Sequence, residues 1–179
     1  HSFPTRRSSD LVRSAKLPIE ITKTGYRFAG WLVESAVGNW EEKVYNDQAL
    51  KGMYGNVSLK AQWNANEYTV KFVTDTTAMD NVSATFDKEF KVSVPAKTGY
   101  TFLGWTLSGE NADYATAKYG DTSATKTIAS GDKCINSTAT NGDLMFINLT
   151  STHGTTVILT ANWQENTYTV SYNTNGGNA

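Results

Sequence analysis

Two stretches of the chain, KTGYRFAGW (Lys23–Trp31) and KTGYTFLGW (Lys97–Trp105), share seven of their nine residues. A second pair follows in the same order, VSLKAQWNANEYTVKF (Val57–Phe72) and VILTANWQENTYTVSY (Val157–Tyr172). Gly99 follows Gly25 by 74 positions and Val157 follows Val57 by 100, so the second unit carries 26 more residues between its two motifs. Two motifs recurring in one order at unequal spacing define a repeated module, not a binding motif that occurs twice.

Each piece reads as strand. Val57, Leu59, Ala61 and Trp63 alternate with Ser58, Lys60 and Gln62, the period of a half-buried strand. Val157, Leu159, Ala161 and Trp163 repeat the pattern. Tyr68, Val70 and Phe72 alternate likewise, as do Tyr168, Val170 and Tyr172. The segment FDKEFKVSVPAK (Phe86–Lys97) predicts a further strand that ends near Pro95. Thr, Asn, Gly, Tyr and Val are abundant and Pro is scarce, which favours strands and turns and predicts a mainly β protein.

Three units are expected: 12–63, lacking its first strand; 67–163, complete; and 167–179, the start of a third that runs into the turn sequence NTNGG (Asn173–Gly177). Between Trp63 and Tyr68 lie only Asn64, Ala65, Asn66 and Glu67, which span at most ~14 Å when extended. A semi-rigid string is the expectation. The insert of the second unit falls near 106–142. Its stretch Ala112–Gly142 is rich in Ala, Thr, Ser, Asn, Asp and Gly and predicts an extended surface excursion. The apolar run Leu144–Ile147 could form a hairpin there.

His1–Leu11 (HSFPTRRSSDL) match, residue for residue, one reading frame of a widely used sequencing-library adapter, and are set aside as an artefact of DNA assembly. An export signal or anchor is therefore expected outside this sequence.

With 39% hydrophobic and 12% aromatic residues, packed cores are expected. Sixteen Lys+Arg against 17 Asp+Glu, without basic runs, give no electrostatic case for nucleic acid. No apolar stretch approaches the ~20 residues of a membrane span. Cys134 is the single cysteine, so neither an internal disulfide nor a thiolate metal cluster can form.

The order YTVxF, KTGYxFxGW, VxLxAxW resembles the Listeria–Bacteroides repeat family, the internalin B-repeat. The matching residues are Tyr68–Phe72, Lys97–Trp105 and Leu149–Trp163, with Lys23–Trp31 and Val57–Trp63 in the first unit. The resemblance implies small β-grasp-like modules in tandem on secreted or wall-attached bacterial surface proteins, acting as spacers and adhesion-associated segments. No phosphate-binding loop, dinucleotide fingerprint, zinc spacing or singled-out carboxylate pair appears in the sequence, so no cofactor and no catalytic residue is expected.

A small module must bury its large side chains, so the repeated residues are expected to form its structural core. These are Gly25, Tyr26, Phe28, Gly30, Trp31 and Trp63 in the first unit, and Gly99, Tyr100, Phe102, Gly104, Trp105 and Trp163 in the second. Outside the repeats, Tyr114 and Tyr119, in the insert, are the candidates for ligand contact. Trp40, Tyr45 and Tyr54, also outside the repeated motifs, are candidates of the same kind, and for most of these five loop packing is the expected role. Cys134 with His153 lacks a third, orienting group at recognisable spacing and so does not read as a thiol nucleophile. Asp75, Asp80, Asp121, Asp132 and Asp143 do not form a calcium-loop pattern. The leading expectation is a structural spacer on a bacterial cell surface whose partners are neighbouring repeats. The alternative is a carbohydrate- or host-protein-binding module that uses the insert.

Overall fold

The computed structural model describes residues 16–46, 52–76, 78–136 and 142–177. The adapter-like segment 1–11 and the beginning of the first unit lie outside them, as do parts of the insert.

The first unit contributes β1 (Tyr26–Ala36), β2 (Val44–Tyr45) and β3 (Val57–Ala65), which form one sheet in the order β2-β1-β3. The second unit contains β4 (Glu67–Val73), β5 (Val82–Thr85), β6 (Phe90–Val92), β7 (Tyr100–Ser108), β8 (Lys118–Gly120), β9 (Lys126–Thr127), β10 (Leu144–Ile147) and β11 (Thr156–Glu165). These make two four-stranded sheets, β5-β4-β11-β7 and β6-β10-β8-β9. The central pair β4–β11 is parallel, and every other strand pair is antiparallel. Among the described residues all regular structure is strand and the modules occur in tandem.

The repeated F-x-G-W explains itself through a bulge. In an unbroken strand, residues three apart point to opposite faces. Trp163 lies opposite Phe102, and Asn162 opposite Gly104, so Leu103 is left without a partner. The extra residue turns the strand by one position, and Phe102 and Trp105 both point into the core. Gly104 has φ 114°, a conformation in which a side chain would be strained, and a Cβ there would sit 2.7 Å from the Cys134 carbonyl oxygen. The first unit repeats the bulge, with Phe28 opposite Trp63, Gly30 opposite Gln62, and Ala29 unpaired.

The bulge assembles an aromatic triad in each unit. Phe102 meets Trp105 and Trp163 edge-on, with both centroid distances 5.5 Å. Phe28 meets Trp31 at 5.4 Å and Trp63 at 5.6 Å in the same geometry. Trp105 is fully buried, and Phe72 packs on its other side at 5.5 Å. Trp163 keeps part of one face open and donates its indole N–H to the Thr74 carbonyl at 2.9 Å. Trp163→Ala is expected to lower the stability of the second unit by about 3 kcal/mol, the low end for an aromatic truncation. A urea melt that loses less than about 1 kcal/mol, the range of a surface substitution, would contradict this.

Four sequence expectations need correction. Tyr100 is 37% exposed and Tyr26 half-buried, so the tyrosines of KTGY stand at the rim of the module and not in its core. Phe86–Lys97 is not one strand. Asp87 turns the chain at φ 60°, fixed by Asn148, whose side-chain oxygen accepts the Asp87 amide at 2.6 Å, and pairing resumes only at Phe90. Tyr168–Tyr172 form no strand, because nothing in the described chain lies beside them to pair with.

The fourth correction concerns the insert, which is part of the core and no surface excursion. Ala117, Ile128 and Cys134 are at most 1% exposed, and β8 pairs with β10 and β9. Leu144 and Phe146 of β10 are fully buried in the cluster that also holds Tyr68, Val70 and Leu159.

Candidate functional site

The second unit holds its insert through Cys134. Cys134 and Trp105 exchange backbone hydrogen bonds at 2.7 and 2.8 Å, directly beside the bulge. In the first unit Tyr45 stands opposite Trp31 in the same place. The Glu89 carboxylate accepts both the Ser123 hydroxyl and the Ala124 amide at 2.7 Å. Those bonds, the Ser123 one foremost, hold its pKa below the usual carboxylate range.

Burial pushes the Cys134 thiol up to about 12, with the charge of Asp132 adding to the effect. His153 is engaged elsewhere, its Nδ1 accepting the Glu67 amide at 3.2 Å. Tyr68, buried in the core with its hydroxyl accepting the Leu149 amide at 3.3 Å, is likewise pushed up to about 12 by burial. In an unfolded chain these groups ionise near 9 and 10, their ordinary values. Their folded pKa values are raised, so the stability they contribute is intact below about pH 9 and is lost as pH rises towards 12. Denaturant midpoints should therefore fall between pH 8.5 and 11. Cys134 should resist thiol reagents in the native protein and react once the protein is unfolded.

The candidate ligand residues are occupied by packing. Tyr114 donates its hydroxyl to the Leu107 carbonyl at 3.0 Å, and Tyr119 stacks on Phe146 at 6.3 Å. Trp40 and Tyr45 pack edge-on at 5.6 Å, and Trp40 donates to the Gly55 carbonyl. Tyr54 uses its backbone amide to bond the side chain of Asn39. Among the described residues no group of three or more His, Cys, Asp or Glu side chains could hold a metal ion. Nor is any helix there long and apolar enough to cross a membrane.

The most constructed polar site lies between the units. Asn66, 6% exposed, joins β3 to β4. Its amide donates to the Gly25 carbonyl at 2.8 Å, its carbonyl accepts the Phe86 amide at 2.8 Å, and its side-chain nitrogen donates to the Ser151 carbonyl at 2.7 Å. One linker residue thus ties the first unit to two segments of the second. The Phe86 ring lies against Gly25 where any Cβ would collide, and meets Tyr26 edge-on at 5.8 Å. The Tyr26 hydroxyl donates to Asp87 Oδ2 at 2.6 Å. Asp87 is itself steadied by Asn148, which donates to Oδ1 at 2.9 Å. The shared hydrogen bond is the main reason that the Tyr26 pKa is raised and the Asp87 pKa lowered. The signal for this joint is in the sequence, since Asn66 and Asn166 coincide when the paired stretches are aligned.

The sequence pattern described as the Listeria-Bacteroides repeat domain matches residues 10–62 and 68–129, leaving the joint between its two copies. Internalin H of Listeria monocytogenes is 33% identical over 107 residues, which cover 58% of this chain and 19% of that protein. A protein of Evansella cellulosilytica, assigned to the membrane by name only, is 27% identical over 166 residues, covering 89% of this chain and 19% of its own length. The chain spans about a fifth of the length of these relatives. No solved structure matches it.

Proposed function

Because the chain belongs to the Listeria-Bacteroides repeat family, we propose that it is a spacer segment of a bacterial surface or secreted protein. Its modules would hold a ligand-binding or anchoring part away from the cell, in an adhesion-associated stalk with neighbouring repeats as its partners. It would be no enzyme and need no cofactor. The observation that carries this reading is the joint. Asn66 reaches both units by hydrogen bonds, and Tyr26 crosses to Asp87. A module that served only to present a binding surface would need no such fixed orientation to its neighbour. The central parallel pair β4–β11, flanked by antiparallel β5 and β7, supports the β-grasp-like description. The internalin named among the relatives supports the extracellular placement.

Small-angle scattering of the full chain should give one extended, temperature-insensitive particle, and arrays of glycans and host matrix proteins should give no binding. Saturable binding to any of them would replace the spacer reading with that of a binding module. In that case the surface of the insert would be the first place to look.

A further inference from the structure

The joint between the first and second units has an unfilled counterpart at the far end of the second. Asn166 donates its amide to the Gly99 carbonyl at 2.8 Å, as Asn66 does to that of Gly25. Lys97 stands over the Tyr100 ring at 4.2 Å, as Lys23 stands over Tyr26 at 3.7 Å. The difference lies in what covers them. A Cβ on Gly25 would strike the Phe86 ring, whereas one on Gly99 would meet nothing within 4 Å. Tyr26 has Asp87 as its acceptor, but Tyr100 faces an open pocket of about 480 Å³ bordered by Pro95, Lys97 and Trp163. Beyond Asn166 the chain repeats the pattern that opens the second unit. Tyr168 and Val170 are 78% and 70% exposed, where Tyr68 and Val70 are 2% and 0% exposed.

We infer that the Gly99–Tyr100 face is the seat of a following module of the same kind, which sets its counterpart of Phe86 on Gly99 and offers its counterpart of Asp87 to the Tyr100 hydroxyl. The inference rests on the spacer reading and deepens it by naming what the end of each module receives. Glycine is required in this seat for two reasons. The backbone turns at φ 76° and 79° at Gly25 and Gly99, and an incoming ring needs the space that a side chain would take. Lys97 lies over its tyrosine without a partner module present, so the seat is shaped before docking.

The test compares the full chain with an extended one, in which residues 1–166 are followed by a second copy of residues 67–166. Extension should shift the Tyr100 ring resonances and raise the exchange protection of the Asn166 amide by about tenfold or more. Both copies of the second unit should then share one rotational correlation time. Tyr100→Phe removes only the hydroxyl and should lower the added protection while leaving the unextended chain unaffected. Gly99→Ala should shift the urea midpoint of the extended chain further than that of the unextended one. The inference is overturned if Tyr100 has the same resonances in both chains and the copies tumble independently; with no glycan or matrix binding, that result leaves a spacer that is flexible. It is equally overturned if an N-acetylglucosamine tetramer shifts Tyr100 in the unextended chain while extension does not, and that outcome removes the spacer reading as well.

Discussion

Trp105→Ala is expected to lower the unfolding free energy of the second unit by ~3–5 kcal/mol, as emptying a fully buried aromatic site does. The ring is wholly enclosed, with Phe72 and Phe102 edge-on against it at 5.5 Å. Few neighbours can move into the space, because the backbone of Trp105 is itself bonded to Cys134 on one side and paired with Ala161 on the other. Trp31→Ala in the first unit should cost less. Its ring is half-buried and its indole N–H reaches the Pro18 carbonyl at 2.8 Å near the surface. Separate urea transitions, followed by the fluorescence of the remaining tryptophans, would distinguish the two. Equal losses from the two substitutions would contradict the difference in burial.

Deleting Ala112–Gly142 is expected to have a larger effect still and to abolish cooperative unfolding of the second unit. From composition this stretch reads as removable. Its removal would take Ile128 and Cys134 out of the core, strip β8 from β10, and leave the Phe146 ring without Tyr119. Ile128 alone stands for about 1.5–3 kcal/mol of burial. The whole loss approaches the ~5–15 kcal/mol that holds a typical domain together. Calorimetry should find one transition, from the first unit, where the parent chain has more. Retention of a native-like second transition would show the insert to be peripheral after all. The deletion is therefore unsuited to asking whether the insert binds a ligand, whereas single substitutions on its exposed face would be suitable.

The repeat and its strands were legible because period-two alternation survives in Val57–Trp63 and Val157–Trp163, where one face is more buried than the other. The joint role of Phe and Trp in F-x-G-W was not legible from alternation, which assigns residues three apart to opposite faces. Only the positive φ of Gly30 and Gly104, with the unpaired Ala29 and Leu103, brings them together. The insert was misread for a different reason. Ile128 and Cys134 are separated by polar turns, and their partners Trp105 and Ala117 are distant in sequence, so neither leaves a local pattern. Tyr26 and Tyr100 were placed in the core by analogy with the other aromatics. Both instead stand at the module rim, where Tyr26 meets Asp87 of the next unit and Tyr100 borders an open pocket. Tyr114 and Tyr119 looked available because the sequence around them is polar, yet each packs inward on the strands it follows or precedes.

The bulge has a consequence for how such chains can lengthen and diverge. Both motifs that make it, and the asparagine that makes the joint, lie at the ends of β1 and β3 or of β7 and β11, on the same side of each unit. The stretch between the motifs differs by 26 residues from one unit to the next, and in the second unit its last part returns to the joint with the first, where Ser151 and Asn148 bond Asn66 and Asp87. Neighbouring modules are thus coupled through a constant coordinate frame, and length can be added within the intervening stretch as long as its return to the joint at Asn148 and Ser151 is kept. The reach of a string built this way is a count of modules, not of residues, and natural selection could alter girth and surface chemistry one module at a time while the spacing stayed fixed.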